Sequence, residues 1–355
     1  MPTLFDPIEL GKLTLANRIA LAPMTRNRAA NHGVPGPHAP EYYAQRAGIG
    51  LLITEGTQPS AVGQGYLATP GLHSDEQVEG WRAVVDAVHA RGGVIFAQLM
   101  HAGRIGHPDN KTTPEIVAPS AIAAPGEMIT ASGPQPHPQP RALEADEIDG
   151  VVAEFVHAAR QAIAAGLDGV EIHGANGYLV HQFLAPSSNV RTDGYGGSPT
   201  NRARFAIEVV RAVADAIGPE RVGIRISPAH NIQGVLEQDA AETAETYRTL
   251  VDAIAPLGIA YLSYLADPRA ELTRDLVSRF GGVTIANDGF VAMTSFDSAS
   301  AILAENLADM VAVGRPALAN PDLVERWRTG AALNEPDEST FYGGGAEGYI
   351  DYPTL

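Results

Sequence analysis

His173, Asn176 and Tyr178 fall close together in the segment Glu171-Ile-His-Gly-Ala-Asn-Gly-Tyr178. An imidazole and a carboxamide can both donate to one oxygen and stabilise charge that develops there. Tyr178 adds a phenol, whose ordinary pKa is about 10. It is a poor base at neutral pH but a workable acid toward a strongly basic carbanion. That combination suits polarised double bonds rather than hydrolysis, and no serine–base pairing stands out. An apolar run, residues 169–172, delivers His173 to the end of an expected β-strand. If the chain turns helical after His173, it and Asn176 share a face. A lone His173 would read as a core residue; its two neighbours are what point to chemistry.

Polar or small residues end other apolar runs as well. They are Pro23-Met24-Thr25, Glu55-Gly56, Gln98 followed by Met100 and His101, Asp288-Gly289, and Gly314-Arg315. Gln98 donates and accepts at once, which suits the edge of a pyrimidine-like ring. Arg225 sits inside the apolar run Gly223-Ile-Arg-Ile-Ser227 and needs an anionic or strongly polar partner. That partner is either a carboxylate such as Glu171 or a cofactor group that takes on negative charge. Asp288-Gly289 and Gly314-Arg315 suit backbone N–H binding of phosphate, with charge from Arg315 and only backbone from Asp288. Ordinary strand-to-helix turns are the alternative there. His73, His101, His107 and His137 lack metal-ligand spacing, so no metal is expected.

These residues need a scaffold that gathers strand ends. Apolar runs recur at residues 19–24, 51–55, 94–99, 169–173, 222–226, 259–264, 283–287 and 310–313. Their length and continuous apolarity suit strands buried on both faces. Helical patterns alternate with them. Ser74 and Gln77 form a capping box before the stripe Val78, Trp81, Val84, Val85 and Val88, and Gly92 supplies a stop. Further helices are predicted up to Gly166, from Ser198-Pro199, and over 239–255, 268–280, 295–305 and 321–328. After the first strand only 40–46 has helical character. The alternation predicts a TIM (β/α)8 barrel in one domain, residues 1–355, with a doubly wound open sheet as the rival. No G-x-G-x-x-G follows the first strand, which weakens the dinucleotide-binding form of that rival. Residues 10–15 suggest an N-terminal hairpin closing the barrel floor. Residues 103–142, rich in Pro, Gly and His, form a long excursion after strand three, on the face where barrel active sites lie. Tyr264 and Tyr342 are expected to line the substrate mouth, Tyr342 from a glycine-rich aromatic tail.

The chain has 355 residues, a formal net charge of −17 and no cysteine. The length suffices for one sizeable core. A nucleic-acid partner would need a basic surface, which this balance argues against. Without cysteine there are no disulfides, thiolate-ligated clusters or cysteine nucleophiles. No apolar run approaches the roughly 20 residues of a membrane span. The first residues lack a basic region followed by an apolar core, so a cytoplasmic location is expected. Monomer and homodimer both remain open.

Three blocks resemble the Old Yellow Enzyme family of flavin-dependent ene-reductases. They are Asn17-Arg-Ile-Ala-Leu-Ala-Pro-Met-Thr-Arg26, the run from Gly177-Tyr-Leu-Val-His-Gln-Phe-Leu to Gly197, and Phe341-Tyr-Gly-Gly-Gly-Ala-Glu-Gly-Tyr349. The likeness extends from Leu4-Phe-Asp-Pro to Tyr352-Pro-Thr-Leu. It implies one non-covalent FMN in the barrel, NADPH or NADH as reductant, and activated alkenes as substrates: unsaturated ketones, aldehydes, maleimides or nitroalkenes. By this resemblance Thr25 bonds the flavin O4, and Pro23, Met24 and Gly56 line the ring. Gln98 and Arg225 hold the pyrimidine edge, with Arg225 favouring the anionic reduced flavin. The Asp288-Gly289 and Gly314-Arg315 loops hold the phosphate. His173 and Asn176 grip a carbonyl or nitro oxygen, and Tyr178 protonates the α-carbon as hydride passes from flavin N5 to the β-carbon. The implied cycle is ping-pong.

Three positions depart from common family patterns: Asn176 in place of a second His, Met100 where Trp is frequent beside the substrate, and Asp288 where Gly is frequent. Thr25 and the absence of cysteine separate the chain from the branch with Cys at that position and from iron–sulfur enoate reductases. Nitrate-ester or nitroaromatic reduction on the same scaffold is one alternative. A non-catalytic flavin-binding sensor is another, and the intact His173, Asn176 and Tyr178 argue against it.

Overall fold

The computed structural model describes residues 2–289 and 293–355. One strand starts within each expected apolar run: β1 (Ile19–Leu21), β2 (Leu51–Ile53), β3 (Ile95–Leu99), β4 (Gly169–Gly174), β5 (Val222–Ile226), β6 (Tyr261–Leu265), β7 (Thr284–Asn287) and β8 (Met310–Val313). All pair in parallel, and β8 pairs with β1, so the sheet closes into a barrel and the open-sheet rival is excluded. Helices α1 (Ala39–Gln45), α2 (Asp75–His89), α3 (Ile148–Ala165), α4 (Pro199–Ile217), α5 (Ala240–Ile254), α6 (Glu271–Phe280), α7 (Phe296–Ala304) and α8 (Leu323–Thr329) alternate with the strands.

Local chemistry fixes the helix ends. The Ser74 side chain accepts from the Gln77 amide, and the Gln77 side chain returns to the Ser74 amide, which makes a full capping box on α2. Ser198 and Asp239 cap α4 and α5 without the reciprocal bond, Ser198 accepting from the Asn201 amide and Asp239 from the Ala241 and Glu242 amides. Gly166 ends α3 in the left-handed conformation, at φ 97°.

Strand alternation decides which side chains face the barrel interior. On β5, Gly223 and Arg225 face inward, while Ile224 and Ile226 join the outer core with the helices. On β6, Tyr261 and Ser263 face inward, opposite Gly223 and Arg225, while Leu262 and Tyr264 pack outward. The lower interior is apolar, filled by Leu51, Ile53, Phe96, Tyr261, Ile285 and Met310. The expected hairpin forms from Ile8–Leu10 and Leu13–Leu15, and its buried Leu10 and Leu15 pack onto that layer. Burying a leucine stabilises by about 1.5–3 kcal/mol, enough to seal the floor with two side chains.

On the opposite face, the long excursion carries its own hairpin, Glu127–Thr130 with Gly133–Pro136. It sets Ile105, Ala124 and Met128 against Met100 and Tyr178. The glycine-rich tail is fastened to the segment after β1. Arg26 donates from Nε to the Phe341 carbonyl at 2.9 Å and from Nη2 to the Gly348 carbonyl at 2.9 Å. The Gly343 amide returns a bond to the Arg26 carbonyl at 2.9 Å. Among the described residues, no helix is long and apolar enough to cross a membrane, and no cluster of His, Asp and Glu could hold a metal.

A Cβ at Gly223 would stand 2.3 Å from the Tyr261 ring. Gly223→Ala is therefore expected to cost about 1–3 kcal/mol through overpacking, seen as a lower urea midpoint. An unchanged midpoint would refute this tight interior contact.

Candidate active site

Strands β3, β4, β5 and β6 adjoin in that order, and their register stacks polar residues at one end of the barrel. Glu171 pairs with Gln98 on one side, His173 pairs with Arg225 on the other, and Arg225 pairs with Ser263. Gln98 Nε2 donates to Glu171 Oε1 at 2.8 Å. Arg225 is only 3% exposed; its Nη1 reaches Ser263 Oγ at 3.5 Å, and its Nε has no partner. Glu171 makes no ion-pair contact with it among the described residues, although the two charges act on each other. Burial lowers the Arg225 pKa from its ordinary value, and Glu171 opposes that shift. Burial raises the Glu171 pKa, against Arg225 and the Gln98 donor. A buried guanidinium left this weakly paired costs several kcal/mol, so the barrel mouth calls for a polar or anionic ligand.

His173 is buried, and its ring centre lies 5.0 Å from that of Tyr178. Its Nδ1 has no partner. Burial, then the charge of Arg225 and the neighbouring His181, holds its pKa well below the ordinary histidine value. The imidazole is therefore neutral at pH 7, with one nitrogen donating and the other accepting.

The chain does not turn helical after His173. β4 continues to Gly174, and a turn carries Asn176 at φ 58° and Gly177 at φ 85° before a short helix, Leu179–Leu184. The condition for a shared helical face is therefore not met. A left-handed turn sets the direction of Asn176 instead, and Asn tolerates that backbone better than most residues. Asn176 Oδ1 is buried without a partner. Tyr178 is buried too; its hydroxyl lies 2.8 Å from that of Tyr66, and burial raises its pKa.

Pro23, Met24 and Thr25 are half-buried in an extended segment after β1. The amide of the next residue, Arg26, donates to Glu55 Oε2 at 2.9 Å, which ties this segment to the end of β2. Burial raises the Glu55 pKa to about 7, opposed by that amide and by the Arg26 charge. Gly56 is buried, and a Cβ there would meet Met100 Sδ at 2.5 Å, so Met100 covers Gly56 and joins the cluster around Tyr178. At Gly314 a Cβ would stand 3.5 Å from Met24 Sδ, which sets the end of β8 against the segment after β1. Arg315 is half-buried and opens a five-residue helix.

One expectation needs correction. Tyr264 does not line the mouth: it faces outward from β6, is buried in the outer core, and donates to the Leu307 carbonyl at 2.9 Å. Two residues of even spacing, Leu262 and Tyr264, share that outward face. The Gly289 amide donates to Asn287 Oδ1 at 3.1 Å. Asp288 Oδ1 accepts from Thr294 Oγ1 at 3.0 Å, so its side chain is turned into its own loop, leaving only a backbone role. Tyr342 is 70% exposed; burial is the main cause of the raised pKa of Tyr66 and Tyr178, and Tyr342 adds to both.

Sequence reasoning missed Tyr66 and Gln233, and it named Glu55 and Arg26 without giving them a role. Gln233 Nε2 donates to the Asn176 carbonyl at 2.7 Å from the loop after β5. Tyr66 and Gln233 lie in loops without periodicity, where no sequence signal marks a partner. Glu55 and Arg26 were legible as buried charges beside strand ends.

Residues 3–334 match the NADH:flavin oxidoreductase / NADH oxidase family. The chain is 41% identical over 362 residues to a protein of Leishmania infantum described as a probable flavin mononucleotide-dependent alkene reductase, covering 99% of this chain and 97% of that one. It is 42% identical over 366 residues to 12-oxophytodienoate reductase 1 of Oryza sativa subsp. japonica, covering 99% of this chain and 93% of the relative. Morphinone reductase in complex with tetrahydroNAD superposes with a TM-score of 0.93 at 46% identity, covering 100% of this chain and 98% of that one. The Old Yellow Enzyme homologue of Zymomonas mobilis gives 0.94 at 39% identity, with both chains fully covered, 100% each. The chain belongs to the NADH:flavin oxidoreductase / NADH oxidase family, the Old Yellow Enzyme class, and is an oxidoreductase that uses FMN with a nicotinamide reductant.

With Tyr264 in the core, Tyr264→Phe is expected to lower stability by about 1 kcal/mol through the stranded Leu307 carbonyl. The steady-state constants should not change. A raised KM with unchanged stability would return Tyr264 to the mouth.

Proposed function

We propose that the enzyme reduces activated alkenes, binding their carbonyl or nitro oxygen at His173 and Asn176 and delivering a proton from Tyr178. One observation carries this reading: His173 Nδ1 and Arg225 Nε are buried without partners at the mouth of one barrel, and Asn176 Oδ1 beside them is also unpartnered, a position that a flip of the amide gives to its NH2 donor. Buried polar atoms in native proteins are otherwise nearly always bonded, so such a cluster is what a ligand site leaves behind.

These residues fit FMN. Gln98 and Arg225 would hold the pyrimidine edge, Thr25 the O4 edge, and Pro23, Met24 and Gly56 the ring through their backbone. Gly314 and Arg315 would carry the phosphate. Bound FMN, once reduced by NAD(P)H, supplies the hydride that reaches the alkene β-carbon. The protein supplies the rest. His173 and Asn176 donate to the substrate oxygen, where negative charge grows in the transition state, so their bonds strengthen as the reaction proceeds. Tyr178 keeps its proton because burial disfavours the phenolate, and it gives that proton to the α-carbon. Met100, Tyr66 and the excursion wall keep the phenol dry. Reductant and alkene would use the same oxygen-binding pair in turn, which gives ping-pong kinetics. The similarity to a protein described as an alkene reductase supports the substrate class.

Phenol, whose oxygen mimics the bound carbonyl oxygen, tests the pair. His173→Ala holoenzyme should bind phenol about tenfold or more weakly while retaining FMN, the loss expected for a buried hydrogen bond to a charge-bearing oxygen. Unchanged affinity would remove His173 from the site. Tyr178→Phe should slow reoxidation of the reduced enzyme by 2-cyclohexenone by about 100-fold or more, the usual size of a general-acid contribution. Its reduction by NAD(P)H should stay near the wild-type rate, and equal loss in both half-reactions would contradict the role.

The pH response follows from the raised Tyr178 pKa. Tyr178 stays protonated above its ordinary range, so the rate with 2-cyclohexenone should be level between about pH 7.5 and 9.5. A falling limb centred near pH 8.5 would mean that the proton comes from another group.

A further inference from the structure

Beneath the Asn176 turn lies a buried Ser–His–Glu arrangement that the proposed chemistry does not use. His181 sits in the short helix Leu179–Leu184 and is 0% exposed. Its Nδ1 accepts from the Gly177 amide at 3.0 Å and lies 3.5 Å from Ser227 Oγ. Its Nε2 lies 3.4 Å from Glu237 Oε1, in ion-pair contact but not aligned as a hydrogen bond. Because Nδ1 accepts, the proton is assigned to Nε2, which faces Glu237. Glu237 is itself held, with Oε2 accepting from the Ala229 amide at 2.7 Å and its amide donating to Asn231 Oδ1 at 2.8 Å.

This is not a hydrolytic triad. Ser227 and His181 are both 0% exposed, so no substrate reaches the serine. The His181 nitrogen nearest Ser227 is already occupied by the Gly177 amide. What the group does hold is backbone. Ser227 Oγ accepts from the Asn176 amide at 3.0 Å, and Gln233 donates to the Asn176 carbonyl at 2.7 Å. The backbone bonds that fix Asn176 and Gly177 from outside their own turn come from the short helix, where His181 accepts from the Gly177 amide and Gln182 Nε2 donates to the Gly177 carbonyl at 2.7 Å, and from the loop after β5. The Asn176 side chain has no such support, since its Oδ1 is unpartnered. Its aim depends on a left-handed backbone at φ 58°, a conformation that a non-glycine residue keeps only when its surroundings enforce it.

We propose that His181 and Ser227, braced by Glu237, are positioning residues: they hold the Asn176-Gly177 turn so that the Asn176 amide meets the substrate oxygen. This rests on the reading of His173 and Asn176 as the oxygen-binding pair. Asn176 is thus aimed from the β5 loop and the short helix, and residues that do not touch the ligand tune the oxygen affinity of those that do.

Phenol titration of FMN-loaded holoenzymes tests this, with the KM and kcat for 2-cyclohexenone measured on the same samples. Ser227→Ala removes one oxygen and His181→Leu removes the acceptor; each should weaken phenol binding about tenfold, the equivalent of one buried hydrogen bond. KM should rise more than kcat falls, and FMN content should be unchanged. His181→Asn places an amide oxygen where Nδ1 stood and should recover affinity to within about twofold. If His181→Leu does not fold, Ser227→Ala carries the test. Wild-type phenol affinity in Ser227→Ala, or equal impairment of His181→Asn and His181→Leu, overturns the positioning role. His173→Ala runs alongside: if it weakens phenol while Ser227→Ala does not, only the positioning role fails. If His173→Ala leaves phenol binding unchanged, the oxygen-binding pair falls and the positioning role falls with it.

Discussion

A guanidinium inside a closed barrel is the constraint on which the rest turns. Arg225 points into the interior because it alternates with Ile224 and Ile226, which the helices require. Once there, it has a 3.5 Å contact to Ser263, the distant charge of Glu171 and an unpartnered Nε. Replacing such a residue with an apolar one would stabilise most cores, so a fold that retains it must gain from the ligand it meets. The apolar floor and its hairpin seal the other end, which leaves the mouth as the face where that charge can be answered.

Around this cation the barrel grades from dry to polar within a few ångströms. Phe96, Tyr261 and Ile285 fill the layer below, and Gln98 and Glu171 form the first polar row above it. The excursion then closes over Met100 and Tyr178, and the tail is tied across by Arg26. Burial governs protonation throughout this region. It keeps His173 neutral and Tyr178 protonated, the states in which one can donate to an oxygen and the other can give up a proton.

The barrel and much of its site were legible in the sequence because both rest on local periodicity. Eight apolar runs bounded by polar ends give the strands, and a polar residue inside such a run, as Arg225 is, declares an inward position. The same rule would have placed Tyr264 outside. Tyr264 shares parity with Leu262, and its closeness to a strand end does not change the face it takes. The direction of Asn176 could not be read the same way. It depends on a left-handed turn held not only by His181 and Gln182 nearby but by Ser227 and Gln233, 51 and 57 residues further along the chain. Tyr66 was hidden for a similar reason: its role is set by a hydroxyl contact with Tyr178 that only the closed barrel creates. The three blocks that resemble the Old Yellow Enzyme family carried what periodicity could not.

The most direct measurement is the reduction potential of bound FMN in the wild type and in Arg225→Met. A cation at the pyrimidine edge favours the charge that the cofactor gains on reduction. With Arg225 in that place, the variant's potential should fall by about 30 mV or more, a tenfold change for a two-electron couple. A potential and an FMN affinity both equal to those of the wild type would contradict the assignment of Arg225 to the flavin, and with it the arrangement of the whole mouth.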